Sequence, residues 1–358
     1  MSHFSNKQKT AFSESALSWF DRHGRTELPW QTNKTAYRVW LSEIMLQQTQ
    51  VATVIPYYQR FLQSFPTIQA LADANIDQVL QHWQGLGYYA RARNLHRAAQ
   101  IMRDDYQSEF PLDMSDVLAL PGIGRSTAGA ILTFACNQAW PIVDGNVKRV
   151  LARCFQVEGW YGKAKTMAEL WQISEQLTPT KNTDNFNQVM MDLGALVCLK
   201  SKPNCESCPL TGSCLSFKNN TQHLYPEKKP KKKAKPQKQT LMLLHRYQNQ
   251  LLLYRRPPVG IWGGLWSLPE VESDQHLNEW QTQHLGSTKA PKEVKVDCLR
   301  HQFTHFSLDI SVAIIELDQL PMSVSDNINF EFIDQQALAN YGLPTAVSKI
   351  LALTLSTS

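Results

Sequence analysis

Tyr225-Pro226-Glu227-Lys228-Lys229-Pro230-Lys231-Lys232-Lys233-Ala234-Lys235-Pro236 divides this sequence into two differently patterned parts. The stretch has no aliphatic side chain larger than Ala, and its three prolines deny it a helix or a central strand. Its lysines repel one another, so residues 225–238 read as an extended linker. It is either a plain spacer or a spacer that also touches a phosphate backbone. The chain has 358 residues, about two or three domains' worth, and a formal net charge of +5. Residues 228–238 hold seven Lys and no acid. Residues 1–227 hold 21 Lys/Arg against 19 Asp/Glu, and residues 239–358 hold 8 against 12. The positive charge therefore belongs to the linker, between a nearly neutral part and an acidic one. A hydrophobic share of 43% excludes general disorder.

Before the linker the spacing is helical. Tyr37, Trp40, Leu41, Ile44 and Met45 lie on one face of a helix over 36–48, and Val147, Val150, Leu151, Cys154 and Phe155 repeat the pattern. Further helices are expected over about 11–22, 51–64, 75–84, 90–105, 115–120, 125–136, 166–177 and 184–197. Residues 1–224 thus read as an all-α domain. After the linker, 240–246 and 251–255 read as a hairpin, 306–316 alternates with Phe306, Leu308, Ile310, Val312 and Ile314 on one face, and 346–355 reads as a closing helix. Residues 239–358 are expected to be α+β. The opening MSHFSNKQKT has no basic stretch followed by an apolar one, and no apolar run approaches the ~18 residues of a membrane span. A cytoplasmic protein, with no membrane partner, is expected. Cys136, Cys154 and Cys298 are scattered and read as small buried residues.

Cys198, Cys205, Cys208 and Cys214 have the spacing C-x6-C-x2-C-x5-C, with Pro203, Pro209 and Gly212 bending the chain between them. Four thiolates can surround one metal centre. Structural zinc usually pairs two short knuckles, whereas a [4Fe–4S] cluster accepts wider outer spacings. The spacing resembles that of the endonuclease III superfamily of DNA glycosylases, which implies one [4Fe–4S] cluster in a loop over 198–214.

Leu120-Pro121-Gly122-Ile123-Gly124-Arg125-Ser126-Thr127-Ala128-Gly129 lies between two expected helices. Gly122 and Gly124 permit a tight turn, and the next helix starts with unpaired amides. Alone, a plain helical hairpin reads as well. Beside the cysteines, residues 115–136 resemble the helix-hairpin-helix of DNA glycosylases, whose amides grip a phosphate and read no sequence. Gly85-Leu86-Gly87-Tyr88-Tyr89-Ala90-Arg91-Ala92-Arg93-Asn94 sets adjacent aromatics and two arginines on a Gly-flanked turn. Tyrosines there are either buried or a wedge that enters the base stack. The resemblance places Gln48, of the amide-rich Leu46-Gln47-Gln48-Thr49-Gln50, and Tyr88 in intercalating roles. Arg91, Arg93, Lys148 and Arg149, with Ser126 in the hairpin, complete the expected DNA contacts.

Breaking an N-glycosidic bond passes through an oxocarbenium-like state, which suits one protonated and one ionised carboxyl. Asp144, in Pro141-Ile142-Val143-Asp144-Gly145-Asn146-Val147-Lys148-Arg149, stands where an N-cap would. A helix N-terminus would also keep it ionised. The V-D-x-N-V-x-R pattern resembles the superfamily's catalytic aspartate, which implies catalytic roles for Asp144 and Asn146. Periodicity alone makes Glu43 an exposed glutamate. However, Ser42-Glu43-Ile44-Met45-Leu46-Gln47-Gln48-Thr49-Gln50 resembles the acid motif of MutY-type adenine DNA glycosylases. That resemblance implies that Glu43 protonates adenine N7 and activates a water, and that Arg25, Leu28, Trp30 and Gln188 complete the adenine pocket. Relatives that also nick the strand carry a Schiff-base lysine where this chain has Ser126, so a monofunctional enzyme is expected.

Gly263-Gly264-Leu265-Trp266-Ser267-Leu268-Pro269-Glu270 resembles the MutT/Nudix fold, but Val271-Glu272-Ser273-Asp274-Gln275-His276-Leu277 lacks the R-E-x-x-E-E metal helix. A recognition module is expected in place of a pyrophosphatase. The MutY family's Phe-Ser-His loop for 8-oxoguanine is matched by Phe303, Thr304 and His305; Thr keeps the hydroxyl while its β-branch restricts χ1. The whole reads as a multidomain monomer: an all-α helix-hairpin-helix glycosylase domain with an Fe–S cluster loop, and a C-terminal Nudix-like α+β domain. Its expected partner is double-stranded DNA with an A:8-oxoguanine or A:G mispair. The rivals are an endonuclease III-like glycosylase/lyase, a non-catalytic DNA-lesion binder and a Nudix hydrolase.

Overall fold

Several of the helices begin where a short polar side chain takes up their first amides. Ser5 and Gln8 form a reciprocal capping box on α1 (Asn6–His23), and Thr35 caps α2 (Ala36–Leu46). Next come α3 (Val51–Ser64) and α4 (Ile68–Asp73), then α5 (Ile76–His82), capped by Asn75. After α6 (Ala90–Tyr106), Asp113 caps α7 (Met114–Ala119). Helix α8 (Arg125–Cys136) starts at Gly124 without a side-chain cap, whereas Asp144 caps α9 (Gly145–Cys154). Helices α10 (Ala164–Leu177) and α11 (Thr183–Asp192) follow, then a π-helical turn, Leu193–Val197, and α12 (Leu215–Lys218).

The computed structural model describes residues 4–230, 235–303, 305–321 and 329–355, which form two compact units. In described residues, the first unit is 4–72 with 97–230, and the second is 73–96 with 235–355. In the first unit, α1, α9, α10 and α11 close around Phe12, Ala16, Val150, Leu170 and Val189. The face read from spacing in α2 is buried: Tyr37, Trp40, Leu41, Ile44 and Met45. Helix α2 packs chiefly on α8, which sets Glu43 at the edge of that face. The expected helix over 184–197 changes to a π turn at Leu193, where Gly194 lies against Asn146; a Cβ there would stand 2.4 Å from the Asn146 Cβ.

In the second unit a mixed sheet forms from β1 (Gln237–Tyr247), β2 (Gln250–Arg255), β3 (Trp266–Ser267), β4 (Glu270–Val271), β5 (Glu293–Gln302), β6 (Ser307–Glu316) and β7 (Phe330–Asp334). The path is β3-β2-β1-β6-β5, with β4 on β1 and β7 on β2; among the described residues only β1 and β6 run parallel. Alternation then sends Met242, Leu244, Ile310 and Val312 to one face, under α14 (Thr345–Leu355). It sends Leu241, Leu243, Ala313 and Ile315 to the other, with Leu277 of α13 (Leu277–Leu285). The expected hairpin pairs Tyr247 with Gln250 around Gln248 and Asn249. Residues 73–96 join this unit, which no sequence pattern indicated.

Ile350 of α14 is fully buried against the sheet. Ile350→Ala should cost about 2–5 kcal/mol, read as lost hydrogen-exchange protection in β1 and β6. Unchanged protection would show that α14 does not close that face.

Candidate active site

A cavity of about 930 Å³ opens in the first unit. Into it α2 brings Glu43, and the turn after α2 brings Gln48. The N-terminus of α9 brings Asp144, Asn146 and Lys148. The segment before α2 supplies Arg25, Leu28 and Trp30, α11 supplies Gln188, and α8 supplies Ser126. Residues expected at the chemistry, spread over more than 160 positions of sequence, thus line one space.

Asp144 is held tightly. Its Oδ1 accepts the Asn146 amide at 2.9 Å and the Val147 amide at 2.7 Å, and its Oδ2 accepts from the Asn146 side chain at 3.1 Å. Burial pushes the Asp144 carboxyl up, whereas these three hydrogen bonds and Arg149 pull it down. Burial is the larger influence, so the cap moderates the rise and does not produce the net lowering that an exposed helix N-terminus would. Burial also pushes Glu43 up, to about 8, and the charge of Asp144 adds to the rise. The two carboxyls therefore sense each other across the cavity.

Asp192, fully buried, was not singled out in the sequence reading. It accepts the Arg25 amide at 2.9 Å, the Arg25 Nε at 2.8 Å and the Gln188 amide nitrogen at 2.8 Å, and it pairs with the Arg25 Nη2 at 2.6 Å. One carboxylate thus orients two pocket residues; its position four residues after Gln188 on α11 was the only signal. Gln31 braces the same wall, accepting from the Leu28 amide and donating to the Arg25 carbonyl. Trp30 is buried edge-on to Tyr58.

The hairpin keeps the expected geometry. Gly122 has φ +81°, and a Cβ at Gly124 would meet nothing within 4 Å, so the start of α8 is open to a ligand. Ser126 turns inward and accepts the Val143 amide at 3.2 Å. Three arginines expected on DNA make hydrogen bonds within the protein. Arg149 donates to the Asn146 Oδ1 at 2.9 Å and to the carbonyls of Cys198 and Gly194, so it joins α9 to the start of the cysteine loop. In the second unit, buried Arg91 donates to the carbonyls of Leu86 and Gly87, and Arg93 donates to the carbonyl of Gly263. Tyr88 is 50% exposed with φ +49°, and exposed Gln48 has φ +58°.

Cys198, Cys205, Cys208 and Cys214 line one pocket together with Arg153 and Cys154. Among the described residues no three His, Cys, Asp or Glu side chains gather as a site for a single metal ion. The Arg153 Nη1 donates to the Cys198 Sγ at 3.3 Å, and the Gln222 amide approaches the Cys205 Sγ at 3.9 Å. A cation and an amide facing soft sulfur ligands fit an anionic thiolate-bound group. Burial pushes Cys205 up and Cys208 to about 11, so these two need a cationic centre to hold them as thiolates.

At the loop expected to read 8-oxoguanine, Phe303 stacks on Phe306 at 4.6 Å and packs on Trp262, and His305 is exposed. Thr304 lies outside the described residues. The base of the linker is tied to the first unit, where the Gly159 amide donates to Glu227 and Lys229 lies over Trp160. Residues 231–234 lie outside the described set. Among the described residues no helix is long and apolar enough to cross a membrane.

The model of the HhH-GPD superfamily of base excision DNA repair proteins matches residues 41–176, and that of the NUDIX domain matches residues 240–353. Over 342 residues the chain is 39% identical to the adenine DNA glycosylase of Buchnera aphidicola subsp. Schizaphis graminum (strain Sg), covering 96% of this chain and 98% of that protein. Over 402 residues it is 31% identical to the adenine DNA glycosylase of Mus musculus, covering 96% and 78%. A thermostable thymine-DNA glycosylase superposes with a TM-score of 0.54 at 25% identity, over 60% of this chain and 98% of that one. A non-covalent endonuclease III–DNA complex gives 0.52 at 21% identity, over 61% and 99%, which is a likeness of fold.

Asp192→Asn keeps the shape and removes the charge. With Arg25 left facing a neutral group, stability should fall by about 3 kcal/mol, at the lower end for a buried pair because water reaches Arg25. Chemical unfolding measures this. An unchanged midpoint would mean that Arg25 does not depend on Asp192.

Proposed function

We propose that this chain, which belongs to the family of adenine DNA glycosylases, removes adenine that stands opposite 8-oxoguanine or guanine in duplex DNA, by hydrolysis and without cutting the strand. The observation that carries this reading is the Glu43–Asp144 pair: two carboxyls coupled through one cavity, one pushed to about 8 and the other held by a helix N-terminus. Adenine extruded into that cavity would meet Glu43 protonated at neutral pH. Glu43 gives its proton to N7, which makes adenine a neutral leaving group as the bond breaks. Asp144, ionised, faces the positive charge that develops on the sugar. Asn146 and the α9 amides fix the angle of that carboxylate. Glu43, once deprotonated, takes the proton of the attacking water. Arg25 and Gln188, aligned by Asp192, supply the polar edge of the pocket, and Leu28 and Trp30 its apolar wall.

Ser126 supports single-step hydrolysis, because its hydroxyl accepts an internal amide and no amine stands there. Lys148 lines the same cavity, and burial lowers its ammonium, so a minor adduct with the sugar after base loss would form at Lys148. The start of α8 supplies amides for a phosphate, and Gln48 and Tyr88 enter the base stack. Phe303, Thr304 and His305 read 8-oxoguanine. The four clustered cysteines hold one [4Fe–4S] cluster, which would fix the loop that Arg149 and Arg153 grip.

A duplex with adenine opposite 8-oxoguanine should break after alkali and stay intact without it. An inert mispair, alongside cleavage of oxidised-pyrimidine duplexes, would overturn the reading. Borohydride should trap no adduct at position 126. Chemical analysis should find about four iron and four sulfide per chain and no zinc; zinc alone would replace the cluster.

The Glu43 carboxyl sets the pH profile. Adenine release should hold through neutral pH and fall about tenfold per unit above pH 8. Glu43→Gln should abolish release and keep duplex binding. The sign for stability follows from a raised folded value: the contribution is full below the usual 4.5 and is lost as pH rises through about 8. Glu43→Gln should therefore gain thermal stability over the parent at pH 9. A flat profile with full activity at pH 10 would remove Glu43 as the acid.

A further inference from the structure

Tyr88 carries a bulky ring in left-handed backbone, at φ +49°, where such residues are uncommon. Its ring is half exposed, so its own burial does not hold it there. A conformation of this kind persists only when its surroundings over-determine it. Part of the restraint is internal. The Trp83 indole donates to the Gly87 carbonyl at 3.1 Å, and Arg91 donates to the carbonyls of Leu86 and Gly87 at 3.2 and 3.1 Å.

The rest comes from the strand-rich part of the second unit. The Gln84 side chain donates to the Ser348 hydroxyl at 2.9 Å, on α14. The Tyr89 hydroxyl accepts from the Gly85 amide and donates to the Leu343 carbonyl, two long bonds at 3.4 and 3.5 Å. Arg93 donates to the carbonyl of Gly263, with its stem against Gly264. Gly263 and Gly264 open the motif that resembles a Nudix hydrolase and that has no catalytic use once the metal helix is absent. Both must be glycine: a Cβ on Gly263 would stand 2.7 Å from the Pro258 carbonyl, and Gly264 has φ +76°.

We propose that Gln84 and Arg93 are positioning residues which tie the 85–88 turn to the strand-rich part of this unit and so set Tyr88 for base extrusion. The Gly263-Gly264 turn acts as the seat that receives Arg93. This inference rests on the reading of Tyr88 as a wedge. It goes beyond that reading by giving the C-terminal part of the chain a mechanical share in extrusion, separate from reading the lesion.

The test uses the full chain and a duplex with 2-aminopurine in place of adenine opposite 8-oxoguanine, because its fluorescence rises when the base leaves the stack. Arg93→Ala and Gln84→Ala should each lower extrusion by about tenfold, while duplex affinity stays near the parent's. Tyr88→Ala should lower it at least as far, and the double variant Arg93→Ala/Tyr88→Ala should be no worse than Tyr88→Ala alone. Arg93→Lys, which can still donate to the carbonyl, should recover part of the loss. Ser348→Ala breaks the Gln84 tie from its other end and keeps the test available if Arg93→Ala does not fold. Parent-like extrusion in these variants, or losses at Arg93 and Tyr88 that multiply, would overturn the proposal. So would weaker binding with a salt slope reduced by about one, which would make Arg93 a phosphate contact. If the parent itself releases no adenine opposite 8-oxoguanine, the functional reading fails. If it does and the variants extrude normally, only the tie fails.

Discussion

Two buried carboxyl groups that face one cavity resist being charged together, and the local backbone biases which of them gives way. Asp144 receives two amides and a side-chain amide, all of which favour its ionised form. Burial raises both groups, and Glu43 in addition bears the repulsion from Asp144. These influences favour the proton on Glu43 over Asp144. This one constraint organises much of the first unit. Helix α2 needs a continuous apolar face on α8 to carry an ionisable residue at its edge without losing its seat. Helix α9 begins just after Asp144, which caps it. Gly194 must lack a side chain so that the π turn can approach Asn146.

A second regularity is the use of guanidinium groups as internal clamps. Arg25, Arg91, Arg93, Arg149 and Arg153 each donate to a carboxylate or to backbone carbonyls within their own unit. Arg153 alone reaches the carbonyls of Leu199, Lys200, Gln222 and Tyr225. Loops around an active site cannot rely on a large apolar core, and a fork of donors can replace one. These guanidinium donors are thus engaged within the protein.

The parts of this arrangement that the sequence disclosed were those with local signatures. The helices expected over 36–48, 51–64 and 125–136 match α2, α3 and α8 to within two residues at their ends, and the spaced face over 147–155 falls on α9. The cysteine spacing and the two glycines of the hairpin are likewise local. What stayed hidden depended on contacts between distant segments. Asp192 looks like an ordinary helix-end acid until Arg25 is brought against it. Arg91 and Arg93, beside tyrosines on a glycine turn, had the composition of a phosphate contact, and only the fold shows that carbonyls take up their donors. Residues 73–96 carry no mark of belonging with the sheet. The change from α to π at Leu193 also left no trace, since it follows from how closely Gly194 and Asn146 pack. Glu43 was the sharpest limit: periodicity makes it a surface residue, and resemblance alone raised it to a candidate.

Gln48 and Tyr88, the two residues with expected roles in the base stack, share a backbone property that no composition reveals. Both are non-glycine residues at positive φ, and both leave their side chains toward solvent. Each such residue costs about 1–3 kcal/mol, which the surrounding structure must offset. An apolar seat would hold either side chain cheaply, yet it would bury a group expected to reach the duplex. Polar restraint of the backbone avoids that conflict. It holds the turn through its carbonyls and leaves the ring uncovered. A wedge set in advance loses little freedom when DNA arrives, so more of the binding energy remains for unstacking the base. This explains why clamps and glycines, and not further core, surround the Tyr88 turn.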